Sequence, residues 1–269
     1  MGSGVSSWDI ARELSPVAKT IYQTSRGGAY DLPAKAFPEN TIRLGDIEKY
    51  STVEDDASLA EDGSLPGTVY LKSGHKICGI HHVILCTGYH MSYPFLKDFH
   101  ADTTQPEDAS ETVLVTKEGQ RTHNLHKDIF YIPDPTLAFI GVPYHVATFS
   151  LFDFQGITVA AVYSGRSELP DEATMRKEYN DKTAAKGAGR GFHSLKDDEG
   201  EIRYVRDLIE VVNEHAERKG LPKIEGHSQT WREAYAGRVA RHNERFGQVA
   251  ETVEKPLDEI LKANSVACT

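Results

Sequence analysis

The chain has 269 residues, with 30 lysines and arginines against 40 aspartates and glutamates, a formal net charge of −10. Such an excess of acid argues against a general nucleic-acid or anionic-membrane surface, but it is compatible with a local basic pocket. No apolar run approaches the ~18 residues of a membrane span, and no basic, apolar leader follows Met1, so a cytoplasmic protein is expected. The sequence opens with Met1-Gly-Ser-Gly-Val-Ser-Ser7, a Gly-x-Gly-x-Ser-Ser run followed at once by a helical pattern. Gly2 suits a tight turn, Gly4 lets the backbone approach a phosphate, and the helix start supplies free N–H groups and a positive dipole end. A turn of this kind normally hangs from a parallel strand, whereas only Met1 precedes it here. Gly2 with Ser6 also fits an N-myristoylation pattern, but one acyl chain binds membranes only marginally, and no basic patch or nearby cysteine follows. Alone, the run is also compatible with a plain flexible terminus.

Next, Ile10, Ala11, Leu14, Val17 and Ala18 form an apolar stripe near helical spacing, with Asp9 close to the helix start and Pro16 limiting it. Residues 20–25 read as a short strand ending at Arg26-Gly-Gly28. Turn, helix and strand in that order make most of a βαβ unit. An acidic residue after the second strand holds a ribose 2′-hydroxyl, whereas an arginine accommodates a 2′-phosphate, so Arg26 favours NADP over NAD. Residues 54–62 are acidic and read as a solvated excursion. Residues 67–72 and 75–80 then flank Ser73-Gly74, a two-residue hairpin signal. Residues 83–86, Val-Ile-Leu-Cys, predict a buried strand that stops at Thr87-Gly88, where a backbone can pass close to a cofactor.

Further along, residues 137–141 predict a strand and residues 149–164 a helix. Val205, Leu208, Ile209, Val212 and Ala216 predict an amphipathic helix stopped by Gly220 and Pro222. Gly187, Gly189 and Gly191 have neither a preceding strand nor a following apolar helix and read as a flexible loop. Residues 223–247 read as a solvated surface. Seven histidines between His75 and His126 show no i,i+4 pairing beside a carboxylate, so no metal site is expected. Cys78, Cys86 and Cys268 are odd in number and lack the short spacing of a metal or redox pair. There is no Gly-x-Ser-x-Gly elbow.

In order, Gly2-Ser-Gly-Val-Ser-Ser7, Ser25-Arg-Gly27 and Leu85-Cys-Thr-Gly-Tyr89 resemble three signatures of the flavin-containing monooxygenases: the NADP-binding turn, the 2′-phosphate arginine and a linker strand. The stretch from Phe130 to Gly141, then Phe154-Gln155, Ser164-Gly-Arg166 and Leu169-Pro170, is similar to the returning part of the family's flavin domain, in the style of its fungal and yeast members. The resemblance implies an α/β chain with an incomplete two-dinucleotide-binding-domain (Rossmann-like) flavoprotein fold and a helical C-terminal extension. Residues 1–89 would be the NADP-binding domain without its first strand, residues 90–170 the returning part of the FAD-binding domain, and residues 171–269 the extension. It also implies an NADPH- and FAD-dependent monooxygenase, in which NADPH reduces FAD, the flavin takes up O2 as a C4a-hydroperoxide, and one oxygen passes to a nitrogen or sulfur nucleophile of a small molecule. On that reading Gly2, Gly4, Ser6 and Ser7 hold the NADP pyrophosphate and Arg26 its 2′-phosphate. Thr87 and Gly88 lie where the two nucleotide domains meet, and Gln155 lies in a helix packed near the flavin. No catalytic acid or base stands out. An exposed or helical segment at residues 83–86 would count against the family.

The departure from the family pattern is the N-terminal Gly-x-Gly-x-x-Gly turn that grips FAD, which has no counterpart here. The chain therefore reads as a truncated copy whose bare sheet edge favours self-association. A catalytically inactive NADP-binding or interaction protein is the alternative, and a flavin-free reductase lacks the Tyr-x-x-x-Lys pair it would need.

Overall fold

The structure, a computed structural model, describes residues 1–28, 31–196 and 199–246. Its chain divides into two compact units, Met1–Gly88 with the described residues from Tyr235 onward, and Tyr89–Ala234.

In the first unit the opening turn leads into α1 (Val5–Leu14), which stops just before Pro16 and leaves Val17 exposed. Proline lacks the N–H and crowds the preceding turn, so the apolar stripe outlasts the helix by a few residues. Strand β1 (Ile21–Thr24) pairs in parallel with β2 (Thr41–Leu44), Ile21 opposite Thr41 and Thr24 opposite Leu44. Trp8 and Ala11 of α1 pack on Leu32, Phe37 and Ile21, and the Trp8 indole N–H donates to the Ala36 carbonyl at 2.7 Å. Asn40 fastens the far end of α1: its amide donates to the carbonyls of Ser15 (3.1 Å) and Ala18 (2.8 Å).

Strands β3 (Ile47–Tyr50), β4 (Val69–Leu71) and β5 (Lys76–Ile77) form a separate antiparallel sheet in that order. Its Val69, Leu71 and Ile77 join Leu44 in a second core. The β4–β5 hairpin forms where the Ser73-Gly74 signal placed it, with a three-residue loop: Leu71 and His75 are the closing pair. The described strands thus give α/β architecture in short sheets, and not one continuous doubly wound sheet.

The segment 83–86 corrects the sequence expectation. It forms no regular strand, and Val83, Ile84 and Leu85 are 44%, 38% and 70% exposed. Its pairing is limited to one residue: the Met1 amino group donates to the Ile84 carbonyl (2.5 Å) and the Cys86 N–H to the Met1 carbonyl (2.7 Å). An apolar run is buried only when other elements cover both its faces, and among the described residues Met1 and Gly2 are the ones seen to meet this segment.

The second unit begins with irregular chain in which β6 (His100–Ala101) pairs in parallel with β7 (Val115–Thr116), and β8 (Leu125–His126) antiparallel with β9 (Phe130–Tyr131). Residues 137–139, expected as a strand, lie extended against residues 129–131, with Phe139 N–H donating to the Ile129 carbonyl at 2.8 Å. Helix α2 (Thr148–Tyr163) fills the expected helical span. Helix α3 (Glu172–Lys186) is capped by the Asp171 carboxylate and closed by Gly187, so the glycine cluster is a helix stop followed by a short turn that buries Phe192 and His193. Helix α4 (Gly200–Arg218) presents the predicted stripe, and all five of its apolar residues are buried. Leu208 packs on Ile129 and Phe130, beside Val159 and Val162 of α2. Helix α5 (Gln229–Phe246) follows. Among the described residues no helix is long and apolar enough to cross a membrane.

The second unit also buries a polar network. Asp128 accepts from His193 Nδ1 (2.9 Å) and from Lys182 Nζ (2.5 and 2.7 Å). Burial alone would raise its carboxyl, but the His193 and Lys182 charges outweigh that and hold it below the usual carboxylate range. His123 Nδ1 accepts from Arg121 Nε at 3.2 Å, so its proton sits on Nε2, against the Thr116 hydroxyl at 2.9 Å. Burial, with Arg121 and His193 beside it, lowers His123 to about 3, and burial likewise lowers His126 to about 4.

Two outcomes follow for this unit. Leu208→Ala removes a side chain only 2% exposed, and should lower stability by about 2–5 kcal/mol in urea unfolding; a change below the measurement error would show that the α2–α4 contact is not holding the unit. The second outcome concerns pH. Histidines that stay neutral when folded but ionise near pH 6.5 when unfolded leave the unfolded state binding more protons, so their stabilisation is complete above that pH and is lost as pH falls towards 4 and 3. Between pH 6.5 and 5, His123 alone should account for a loss of about 2 kcal/mol. Asp128, whose folded carboxyl is depressed, adds to the loss only below the usual carboxylate range. Melting temperatures unchanged from pH 7 to 5 would contradict buried neutral histidines.

Candidate nucleotide site

The opening turn is shaped by where its carbonyls go. The Met1 carbonyl accepts from Cys86 N–H (2.7 Å), that of Gly2 from the Gln23 side-chain amide (2.5 Å), that of Ser3 from Leu32 N–H (2.8 Å), and that of Gly4 from Trp8 N–H (3.1 Å). Four successive acceptors are thereby turned towards protein. The donors at the start of α1 are not used in the same way: Gly4 is the N-cap, has no side chain to cap with, and no acidic residue occupies the first turn. Orphan N–H groups and the positive end of a ten-residue helix together form an anion-binding corner.

Gly2 is required by contact. Its φ is +100°, and a Cβ there would stand 2.3 Å from the Cys86 carbonyl oxygen. Only glycine permits both that conformation and that approach. Gly4 is extended at φ −85°, so its value lies in lacking a side chain. Of the two serines assigned to this turn, Ser6 is exposed and Ser7 is buried, which leaves Ser6 as the hydroxyl open to a ligand.

Arg26 is exposed two residues beyond β1. Its loop is fixed by Asp31, which accepts from the Ser25 hydroxyl and from Gly28 N–H (3.0 Å). Burial would raise the Asp31 carboxyl, but hydrogen bonds from Ser25, Ser3 and Gly28, with the Arg43 charge nearby, lower it. Ser3 and Ser25 thus meet on one carboxylate, which links the turn to the arginine loop. Thr87 and Gly88 are exposed at the end of the segment that Gly2 touches. The first unit therefore sets Gly2 against Cys86, which Thr87 and Gly88 follow in sequence, while Gly4 and Ser6 continue the turn and Arg26 lies two residues beyond β1.

Sequence reasoning missed Gln23, Asp31 and Ser3. Gln23 is 3% exposed in the middle of β1, and its amide also donates to its neighbour Thr24 (3.1 Å). A glutamine inside an otherwise apolar or β-branched strand was the available signal.

Gln155 lies in the second unit and is fully buried. Its Oε1 accepts from Gly141 N–H (2.9 Å), its Nε2 donates to the Tyr204 hydroxyl (2.8 Å), and that hydroxyl donates to the Lys127 carbonyl (2.6 Å). Those contacts bind residue 141, α2 and α4 to one another and use both ends of the Gln155 amide. Gly141 is held equally tightly, since a Cβ there would meet the Phe152 ring at 2.8 Å.

The α1 corner offers uncapped helix N–H groups to one anionic group such as a pyrophosphate. A second pyrophosphate, as FAD carries, finds no equivalent among the described residues. At the start of α2 the Ala147 N–H already donates to the Glu201 carboxylate (2.8 Å), α3 is capped by Asp171, α4 has Glu201 in its first turn, and Ser228 caps α5. Among the described residues no group of three or more His, Cys, Asp and Glu is placed to hold a metal.

The family model for flavin-binding monooxygenase-like proteins matches residues 65–221. Flavin-containing monooxygenase ustF2 of Aspergillus flavus is 46% identical over 235 residues, which cover 87% of this chain and 47% of the relative. A second protein of that fungus, flavin-containing monooxygenase ustF1, is 38% identical over 234 residues, 87% of this chain and 42% of its own length. The chain thus spans about half the length of the curated relatives it matches. Among solved structures, the S-allyl-L-cysteine S-oxygenase from Allium sativum superposes with a TM-score of 0.55 at 22% identity, covering 97% of this chain and 52% of the other. The exposure of residues 83–86 does not count against the family after all, since the matched span includes them. The chain belongs to the flavin-binding monooxygenase-like family.

Proposed function

We propose that this chain supplies the NADP(H)-binding portion of an NADPH- and FAD-dependent monooxygenase that transfers one oxygen of O2 to a nitrogen or sulfur nucleophile of a small molecule. The observation that carries it is the α1 corner, where four carbonyls are tied inward and the helix N–H groups are left for an anion. The names of relatives favour the nucleophile class: a trimethylamine monooxygenase of Roseovarius sp. is 32% identical over 146 residues, 54% of this chain and 29% of its own length, and the garlic neighbour is an S-oxygenase.

In this reading Gly2 and Gly4 let the pyrophosphate reach the α1 N–H groups, Ser6 adds a hydroxyl, and Arg26 pairs with the 2′-phosphate. Thr87 and Gly88 follow the segment that Gly2 touches and would lie where the two nucleotide domains meet. Bound flavin would supply the oxygen chemistry, and the described residues lack a place for its pyrophosphate. Gln155 acts at a distance by holding residue 141 against α2. A cytoplasmic setting suits this reading.

Measurements on the Arg26 variant and on the purified chain test the proposal. Arg26→Ala should weaken NADPH binding by about 1.5–3 kcal/mol, the range for a hydrogen bond to a charged group, while NADH binding stays nearly unchanged. Equal losses for both nucleotides would make Arg26 structural. The 269-residue chain, purified by itself, should lack flavin's visible absorbance and fail to oxidise NADPH in the presence of an amine or thioether. Its bare segment at residues 83–86 should promote self-association by edge pairing, read by light scattering after size exclusion. A yellow, monomeric, active preparation would overturn both expectations.

A further inference from the structure

Outside the nucleotide corner, the second unit carries a cavity of about 200 Å³ between α4 and the stretch from Ile224 to Arg232. One wall is apolar, built by Val205 and Ile209 of α4 with Ile224 facing them. Asn213 shapes this wall without offering anything to a ligand, since its side chain is spent on the Ile224 backbone, donating to the carbonyl (2.9 Å) and accepting from the N–H (2.8 Å).

The other side is polar, and one of its groups is unfinished. His227 is only 8% exposed, its ring stacked on Trp231 at 3.4 Å and met edge-on by Phe154 at 4.7 Å. Its Nε2 is buried without a hydrogen-bond partner. A buried polar atom left unsatisfied forfeits its hydration, and the residue that carries this one lines the cavity, its ring held by two others. Burial, and after it the Arg232 charge, lowers His227 to about 4, so the ring is neutral at physiological pH. Arg232 spends its Nε on the His227 carbonyl (3.2 Å), and no described carboxylate pairs with its terminal NH2 groups. Arg206 also lines the cavity but is committed to Asp207 (3.0 Å) and Glu210 (3.8 Å).

We propose that this cavity is a binding site for a small monocarboxylate with a short apolar tail, separate from the nucleotide corner. The carboxylate accepts from His227 Nε2 and from the Arg232 guanidinium, which selects the tautomer with its proton on Nε2. The tail lies along Val205, Ile209 and Ile224. Two features argue for this class. The space is smaller than the roughly 300–1,000 Å³ of sites for drug-sized ligands, and Glu210 at the rim disfavours a multiply charged anion.

Sodium hexanoate is the probe, titrated into the full chain by calorimetry and, in a Trp8→Phe background, by the emission of Trp231, which is then the one tryptophan left. The expected result is saturable binding with a change in Trp231 emission. Arg232→Gln, on an exposed side chain, should weaken it about tenfold or more, as loss of a charge-assisted contact does. His227→Phe, which keeps the stack but removes Nε2, should weaken it at least as much with unchanged circular dichroism. If the histidine variant misfolds, the arginine variant decides alone. No saturable response, a response equalled by acetate or chloride at the same ionic strength (an adventitious ion only), or an affinity indifferent to Arg232→Gln would each overturn the site.

Discussion

The approach of Gly2 to Cys86 is the constraint on which the first unit depends. With 2.3 Å between a notional Cβ and the Cys86 oxygen, the two backbones sit closer than any side chain allows. This contact places Met1 beside Ile84 and Cys86, and it directs the next three carbonyls towards Gln23, Leu32 and Trp8. The free donors of α1 are the complement of those satisfied acceptors. An anion corner therefore arises from packing one turn against one extended segment, before any side chain is aimed at a ligand.

The second unit solves a different problem. It has little regular strand, and its backbone groups are instead satisfied by buried side chains, as with Asn124, whose amide donates to the Val113 carbonyl at 2.7 Å. Gln155 and Tyr204 do the same between residue 141, α2, α4 and the Lys127 carbonyl. Polar networks in a core are worth most when every member is paired, because a lone buried group forfeits its hydration. The Asp128, Lys182 and His193 cluster follows this logic: its depressed carboxyl reflects structural pairing, and its burial removes it from consideration as a catalytic group.

How much of this was legible depends on the range of the interactions involved. The α4 stripe could be read because Val205, Leu208, Ile209, Val212 and Ala216 recur at helical spacing and bury on one face. Pro16 marked the end of α1, and Ser73-Gly74 marked a hairpin, though with a loop one residue longer. Residues 83–86 misled because four successive apolar residues signal a strand's composition, whereas burial requires neighbours distant in sequence. Gln155 was placed near a cofactor from its motif, and its fully buried amide turned out to serve the protein. Gln23, Asp31 and Ser3 escaped notice because their roles come from contacts across 21, 6 and 29 residues.

Family and cofactor rest on different parts of the chain, and this decides what each experiment can settle. The matched family span, residues 65–221, starts after the opening turn, α1 and Arg26. Membership is carried by that span together with the 235-residue match to ustF2, while the proposed preference for NADP(H) rests on the α1 corner and one exposed arginine. A failure of Arg26 to discriminate the 2′-phosphate would leave membership untouched and would move the phosphate contact elsewhere on the same loop. Binding of neither nucleotide would weigh more, because Gly2, Gly4 and the inward carbonyls would then serve only to join a turn to residues 84–86.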